Sequence, residues 1–234
     1  MDISIIIPTF NEEKNISNLV PYLQTLKSDC KCEIIVTDGG SNDKTMQMAI
    51  ECGATAISST IKGRAGQMNY GAQHAKGNIL YFVHADTRPA PTALSDIYKS
   101  IKTGYNCGSF RFRFDSNKFL LKINSFFNRF NYIYFRGGDQ SIFITREFFD
   151  RIGGFDEQYL IMEDYEFLAK IMKNKKFRLV PKYTIGSARK YDQNTWLSVQ
   201  LANLKVIRMF KRGASQRDML DTYKKMLRYR KNAF

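Results

Sequence analysis

The stretch Ile79-Leu80-Tyr81-Phe82-Val83-His84-Ala85-Asp86 decides the fold that the rest of the chain must fit. Its first five residues are apolar and mostly β-branched or aromatic, a composition typical of a buried strand. Pro89 and Pro91 follow closely, and prolines exclude a return to regular sheet. The sequence therefore predicts an acidic side chain at the carboxyl end of an interior strand, where open α/β sheets bind their ligands.

Two interpretations of this strand end are open. The Asp86 carboxylate suits Mg²⁺ or Mn²⁺ shared with substrate phosphates, because both ions prefer oxygen ligands. Alternatively, Asp86 caps a helix that begins near Pro91, and His84 only fills space. Taken alone, the segment His84-Ala85-Asp86 favours neither interpretation.

The first 115 residues alternate strand-like and helix-like segments. Apolar runs predict strands at 3–7, 33–37, 54–58 and 79–83, the first of them stopped by Pro8. The intervening segments predict a helix at 11–26 capped by Thr9 or Asn11, a second helix ending at Cys52, and a third at about 67–75. This order predicts an α/β fold with a single, mainly parallel sheet flanked by helices.

The second half is less regular, so the sheet is expected to be mixed. Period-2 or apolar runs predict strands at 110–114 and 141–145, and helical patterns cover 117–133, 146–152 and a segment ending at Met172. Two amphipathic helices follow, from Trp196 and from Ser215. The apolar face of the first of these is marked by Leu197, Leu201, Leu204, Ile207 and Phe210.

The net charge of +14 lies entirely in the C-terminal part of the chain. Residues 165–234 contain 18 basic and 4 acidic residues, whereas residues 1–164 contain 18 of each. Such asymmetry predicts an anionic partner, which could be a membrane surface, a nucleic acid or a phosphorylated substrate.

Length and composition exclude several classes of protein. A chain of 234 residues can bury a real core, and none of its apolar runs approaches the roughly 18 residues of a membrane span. The N-terminus has no secretory signal pattern. The four cysteines fit neither a disulfide framework nor a zinc pattern, so we expect free thiols in a reducing cytoplasm.

Polar side chains follow the other predicted strands. Asp38 ends the second strand, and Gly39 and Gly40 behind it would let a ligand approach the backbone. The plain alternative is a glycine turn in which Asp43 caps the next helix, and both can hold together. Arg64 precedes a helix, where it could contact a base or a diphosphate or remain a solvated charge.

Further candidates lie in the second half. Glu163 and Asp164 open a helix, which the helix dipole alone could explain, although an Asp facing the cleft could also serve as a general base. Arg189 and Lys190 could close over a diphosphate or begin a membrane-binding face. The first strand is followed by neither GxGxxG nor GxxxxGK[ST], which argues against a dinucleotide fold and a P-loop.

Six short motifs, taken in order, resemble those of the family 2 glycosyltransferases of GT-A fold. They are IIIPTFNE at 5–12, IVTDGGSND at 35–43, RAGQMNYG at 64–71, HADT at 84–87, GDQ at 138–140 and MED at 162–164. The His-Ala-Asp, Gly-Asp-Gln and Met-Glu-Asp variant resembles a compact bacterial subgroup of the family. The resemblance covers nearly the whole chain and implies an inverting, metal-assisted transferase that uses a nucleotide-sugar.

The resemblance also implies a role for each motif. The residues lining the nucleotide-sugar pocket would be Pro8, Thr9, Asn11, Glu12, Asp38, Arg64, His84, Ala85 and Asp86. Asp86 would bind Mn²⁺ or Mg²⁺, whereas His84 replaces the first carboxylate of the family's Asp-x-Asp motif and would contact ribose or phosphate. Asp164 would be the catalytic base. The contacts to acceptor or diphosphate would come from Gly138, Asp139, Glu163, Arg189 and Lys190.

The implied organisation is a GT-A domain at 1–192, with a nucleotide-binding half (1–115) and an acceptor half (116–192), followed by a basic helical tail at 193–234. The expected donor is a UDP-sugar, and the expected acceptor is a carbohydrate or a lipid-linked molecule. The tail predicts peripheral contact with the anionic inner face of a membrane, or alternatively packing on the core or dimerisation. Nucleic acid is not an expected partner.

Two competing functions use the same residues differently. A nucleotidyltransferase would make sugar nucleotides, but it normally has a glycine-rich, basic N-terminal loop that Pro8-Thr9-Phe10-Asn11 does not offer. A non-enzymatic module could bind nucleic acid or lipid through the tail, yet it would not need carboxylates at Asp38, Asp86 and Asp164.

Overall fold

The computed structural model describes residues 2–28, 30–61, 63–133, 136, 140–174 and 176–228. Its strands are β1 (Ile3–Thr9), β2 (Cys32–Asp38), β3 (Thr55–Ser58), β4 (Ile79–Phe82), β5 (Thr87–Arg88), β6 (Cys107–Phe114), β7 (Ile142–Thr145) and β8 (Phe177–Gly186). Its helices are α1 (Glu13–Gln24), α2 (Thr45–Glu51), α3 (Arg64–His74), α4 (Ala93–Lys102), α5 (Phe119–Phe127), α6 (Arg146–Arg151), α7 (Glu163–Met172), α8 (Lys190–Gln193), α9 (Trp196–Lys211) and α10 (Gln216–Met226).

The strands form one mixed sheet in the order β3-β2-β1-β4-β7-β6-β8-β5. Strands β3, β2, β1 and β4 are parallel, whereas β7 runs antiparallel to both β4 and β6. Strand β8 pairs parallel to β6 and antiparallel to β5. The predicted α/β fold with one mixed, mainly parallel sheet and flanking helices is confirmed.

Each face of the sheet carries its own core because side chains alternate along a strand. On one face, Ile5 and Tyr81 pack with Leu23 of α1 and with α4. On the other face, Ile6 and Phe82 pack with α3, α6 and α7. The two cores hold β1 and β4 in the centre of the sheet, with their carboxyl ends at one edge.

Strand β1 continues through Pro8, so the predicted stop at this residue is wrong. The Ile6 carbonyl accepts from Val83, and the Thr9 carbonyl accepts from Gly39 in the loop after β2. Backbone groups of a strand alternate in direction, so the Pro8 nitrogen faces the β4 side. Strand β4 ends at Phe82, before the level of Pro8, so the N–H that proline lacks would have no partner in β4.

Several element boundaries also differ from the predictions. Helix α1 begins at Glu13 and its N-cap is Glu12, so the predicted caps Thr9 and Asn11 are wrong. Helix α3 begins at Arg64, which was predicted to lie in a loop ahead of it. Strand β8 was not predicted, because Pro181 interrupts its pattern. The β6–β8 register shifts there, with Phe110 opposite Val180 and Arg111 opposite Tyr183.

The C-terminal helices α9 and α10 pack on each other around a third apolar cluster, which reaches Ile161 and Met162. The predicted apolar face of α9 is wrong at Leu197, Leu201 and Leu204, which are 59%, 50% and 44% exposed, whereas Phe210 at its end packs against the cluster. The α9 side chains buried in this cluster are Val199, Ala202 and Val206. In the part of the chain that is described, no helix combines the length and the apolar character that crossing a membrane requires.

We expect Gly71→Ala to destabilise the fold. Gly71 lies where α3 crosses the sheet, and an added Cβ would come within 2.5 Å of Ile6 Cγ2 and 2.6 Å of Thr37 Oγ1. Overpacking of this kind costs about 1–3 kcal/mol, more than alanine gains in helix propensity. Urea unfolding measures the change. Gln73→Ala, at an exposed position of the same helix, is the control and should not lower stability; equal stability of both variants would contradict the close approach.

Candidate active site at the carboxyl edge of the sheet

The parallel order of β2, β1 and β4 brings three predicted site segments to one edge. Thr9 and Asp38 are register partners at the ends of β1 and β2. The segment His84–Asp86 follows β4, and Thr87 donates its N–H to the His84 carbonyl to close a turn. The structure therefore places these three segments at the carboxyl ends of neighbouring parallel strands, as the strand order of the sequence predicts.

Asp38 organises the loop that follows β2. Its side chain is buried, and one carboxylate oxygen accepts from the Gly40 and Ser41 amides at 2.9 and 2.7 Å. The other oxygen accepts from Thr9 Oγ1 at 3.1 Å and from the Ser41 hydroxyl. These bonds fix the loop backbone, whose turn places Gly40 at φ +93°.

The first and second βα loops are tied to each other. Asn11 takes a left-handed conformation, with φ of 54°, and its N–H donates to Ser41 Oγ at 2.8 Å. In return the Asn42 N–H donates to Asn11 Oδ1, also at 2.8 Å. The Glu12 N–H donates to Thr45 Oγ1 at 2.8 Å. Asn11 thus ties the two loops together, and this bonding explains its unusual backbone.

A buried glutamine that was not among the predicted site residues holds the two strand ends together. Gln67 Nε2 donates to the carbonyls of Thr9 and Thr37 at 2.6 and 2.9 Å. These carbonyls belong to neighbouring strands at the point where their loops diverge. The only sequence signal for Gln67 was its place within the motif at 64–71.

Arg189 connects the acidic residues of this edge. Its guanidinium lies 2.8 and 3.2 Å from the two carboxylate oxygens of Glu12 and 3.0 Å from Asp86 Oδ2. Arg189 follows β8. Ser187, the first residue after β8, donates its N–H to the Asp86 carbonyl. The structure therefore brings together Glu12, Asp86 and Arg189. Lys190, which follows Arg189 in the chain, instead contacts the tail and donates to the Tyr223 hydroxyl at 3.1 Å.

A second polar group lies where α3 meets α7. Arg64 is 3.7 Å from Glu163 Oε1, and Met162 just before the helix is left-handed, with φ of 69°. Asp164 is half-buried, and its Oδ1 accepts from the Tyr165 N–H at 2.7 Å. Gly138 and Asp139, predicted on the acceptor side, lie outside the described residues.

Burial dominates the ionisation of Glu163. Desolvation, reinforced by the neighbouring Asp164 carboxylate, raises the pKa of Glu163 to about 7, and Arg64 offsets part of this shift. The native side chain therefore keeps its proton to higher pH than it would in the unfolded chain. Near neutral pH it can act as a hydrogen-bond donor as well as an acceptor.

The environment of Asp86 suits a cation. Its carboxylate is partly accessible and already holds a positive group, the Arg189 guanidinium, which it shares with Glu12. Oxygen donors of this type are what Mg²⁺ and Mn²⁺ prefer. Among the described residues, no three His, Cys, Asp or Glu side chains lie close enough together to form a metal cluster by themselves. The four cysteines are free thiols, as predicted.

A family model described as glycosyl transferase family 2 matches residues 4–155, which include the strand ends described above. The chain belongs to glycosyl transferase family 2. It is 28% identical over 109 residues to a dolichol-phosphate mannosyltransferase from Pyrococcus furiosus, covering 44% of this chain and 31% of the relative. It is 26% identical over 197 residues to an uncharacterized glycosyltransferase from Haemophilus influenzae, covering 75% and 63%.

Solved structures share the fold. The S. aureus TarS 1-349 structure in complex with UDP-GlcNAc superimposes with a TM-score of 0.65 and 20% identity, covering 81% of this chain and 59% of TarS. Mannosyltransferase PcManGT from Pyrobaculum calidifontis, in complex with GDP-Man and Mn²⁺, gives 0.64 and 18%, covering 96% and 69%. The GT-A fold of this family 2 member is confirmed. Its matches span 31% and 36% of the first two curated relatives.

We expect Glu163→Gln to change how stability depends on pH. Between the unfolded-state value of 4.5 and the native value of about 7, native Glu163 binds more protons than the unfolded chain does. Its contribution to the free energy of unfolding therefore falls as pH rises through this window and is constant above it.

The variant removes this decline, so its stability relative to the native protein should rise across the window. Urea unfolding over a pH series measures this difference. Glu51→Gln, at an exposed position, is the control and should show a flat difference; a flat difference for Glu163→Gln would contradict the raised pKa.

Proposed function

We propose that this family 2 protein transfers a sugar from a nucleoside diphosphate sugar to an acceptor hydroxyl with inversion. The observation that carries the proposal is the meeting of Glu12, Asp86 and Arg189 at the carboxyl edge of β1, β2 and β4. That edge offers both a carboxylate for a cation and a guanidinium for phosphate oxygens. Structural relatives with this fold were solved with UDP-GlcNAc, and with GDP-Man and Mn²⁺.

The donor pocket follows from the two tied loops. The base and ribose would lie between Pro8–Glu12 and the loop that Asp38 orders, with Arg64 at the opening of α3 and His84 and Ala85 beneath. We favour a UDP-sugar as donor. Asp86 would hold Mg²⁺ or Mn²⁺, which when bound neutralises charge on the leaving diphosphate. The Arg189 guanidinium would exchange its contacts with Glu12 and Asp86 for contacts with the diphosphate, because phosphate oxygens can accept two hydrogen bonds from one guanidinium.

Asp164 is the proposed base. It stands in the first turn of α7, and its side chain is half-buried. It takes the proton of the acceptor hydroxyl while the hydroxyl oxygen bonds to the anomeric carbon. The bond from that carbon to the diphosphate oxygen breaks in the same displacement, so the configuration inverts. Glu163, Gly138, Asp139 and Lys190 remain candidates for acceptor or diphosphate contacts.

The acceptor half at 116–192 and the tail at 193–234 complete the proposed organisation. We propose a carbohydrate or lipid-linked acceptor, in keeping with the dolichol-phosphate mannosyltransferase among the relatives. We also propose a cytoplasmic location, with peripheral contact at the inner face of the membrane. The match to the family favours this function over nucleotidyl transfer and over a binding module.

We expect Asp164→Asn to lower the transfer rate by about 10²–10⁴, the usual contribution of a general base. The assay is release of nucleoside diphosphate from UDP- and GDP-sugars with a lipid extract as acceptor source. Donor binding, followed as the thermal shift caused by UDP with Mn²⁺, should be unchanged. Asp150→Asn, at an exposed position of α6, is the control; normal turnover by Asp164→Asn would exclude Asp164 as the base.

We expect Arg189→Gln to bind Mn²⁺ more tightly than the native protein in the absence of nucleotide. The guanidinium competes for the Asp86 carboxylate, and removing a charge about 4 Å away should strengthen cation binding about fivefold or more. Titration followed by electron paramagnetic resonance measures free Mn²⁺. The same variant should bind UDP with Mn²⁺ more weakly, because the diphosphate loses its arginine.

The control for this experiment is Arg217→Gln, which removes the same charge from an exposed position of α10. It should leave both affinities unchanged. Equal or weaker Mn²⁺ binding by Arg189→Gln would show that the arginine and the cation do not share Asp86.

A further inference from the structure

Helix α5 and the turn behind it present an unusual surface. The five aromatic side chains of this α5 surface, between 41% and 74% exposed, are Phe119, Phe126, Phe127, Phe130 and Tyr132. No other large aromatic side chain among the described residues is as exposed. Within α5 itself, only Leu121 is buried. A contiguous run of exposed rings marks an interaction site.

Basic side chains are interleaved with these rings. Lys118 precedes α5, Lys122 lies within it and Arg129 follows it. The Arg129 guanidinium stacks over the Phe126 ring at 3.9 Å from its centre. Rings that alternate with cations match the boundary of an anionic bilayer, where apolar groups enter the acyl region and cations meet phosphates.

A cavity of about 700 Å³ opens beside the rings, between α5 and the ends of β6 and β8. Phe126 forms part of its wall, and its basic lining residues are Arg113, Lys122 and Arg129. The buried Arg136 contacts the turn behind α5, donating to the Phe130 carbonyl at 2.8 Å. The cavity lining therefore combines apolar side chains with three basic residues and one acidic residue, Asp115.

The tail offers a weaker surface of the same kind. The exposed apolar side chains of α9 are aliphatic, and there is no exposed aromatic ring among them. An aromatic side chain carries more apolar surface than leucine, so the five rings of the α5 surface would bury more apolar area in a bilayer than the three exposed leucines of α9. The composition of the tail predicted membrane contact, but within the described residues the exposed rings belong to the α5 surface and not to the tail.

We propose that the α5 surface binds anionic phospholipid bilayers, with a lipid phosphate entering the cavity lined by Arg113, Lys122 and Arg129. Charge complementarity and the exposed rings select this occupant. Such binding does not depend on sugar transfer, so it can be tested separately from the proposed activity.

The first test replaces rings. The full chain is sedimented with phosphatidylcholine vesicles with and without phosphatidylglycerol. The native protein should bind only the anionic vesicles, and Phe119→Ser with Phe126→Ser should weaken this binding about tenfold or more. The control pair is Leu197→Ser with Leu201→Ser, two exposed apolar residues of α9, which should bind like the native protein. Circular dichroism and thermal unfolding check that both double variants are folded.

The second test replaces charges without touching the rings. Lys122→Gln with Arg129→Gln should weaken binding to anionic vesicles roughly tenfold, since each basic residue near a surface contributes separately. Lys205→Gln with Arg208→Gln removes the same charge from exposed positions of α9 and is the matched control. It should lose much less affinity.

Three outcomes would overturn the proposal. The native protein could fail to bind anionic vesicles. The α9 variants could lose binding while the α5 variants keep it, which would locate the membrane face on the tail. The native protein could form dimers that the α5 ring variant abolishes, without vesicle binding, which would make the surface a contact between copies of the chain.

Discussion

The hydrogen bonds donated by the Gln67 side-chain amide hold the carboxyl ends of β1 and β2 together, and the candidate site depends on them. Two strand-end carbonyls, of Thr9 and Thr37, converge on one side-chain nitrogen in a buried position. Without this donor, each carbonyl would lose one buried hydrogen bond, worth about 0.5–1.5 kcal/mol, and keep its other partner: the Gly39 N–H for Thr9 and the Thr9 hydroxyl for Thr37. Gly39 leaves room for this amide, because a Cβ at residue 39 would lie only 2.9 Å from the Gln67 amide nitrogen. Helix α3 therefore fixes the spacing of β1 and β2 where the pocket opens.

From this fixed edge, the rest of the pocket is built by loop-to-loop bonds. Asp38 orders one loop, and Asn11 and Ser41 join it to the other. Arg189 then adds charge balance from the far half of the chain. If the proposed donor binds here, the tied loops would hold its nucleoside, and the Arg189 contacts to carboxylates could be replaced by contacts to its phosphates.

The sequence predicted those parts that depend on local pattern. Apolar runs located β1, β2 and β4, and the polar residues behind them placed Asp38 and Asp86 at one edge. It missed features that depend on distant partners, such as β8 and the pairing of Arg189 with Glu12. Helix α9 shows why. It carries two apolar stripes, Leu197-Leu201-Leu204 and Val199-Ala202-Val206, and only the position of α10 decides which is buried.

The contact between Glu12 and Arg189 joins residues 177 positions apart. Closing such a loop is entropically costly and slow compared with the local βα contacts of the first half. During synthesis Glu12 and Asp86 leave the ribosome well before Arg189, because they precede it in the chain. A nascent chain that ends before residue 189 therefore carries both carboxylates without the guanidinium that pairs with them in the folded protein.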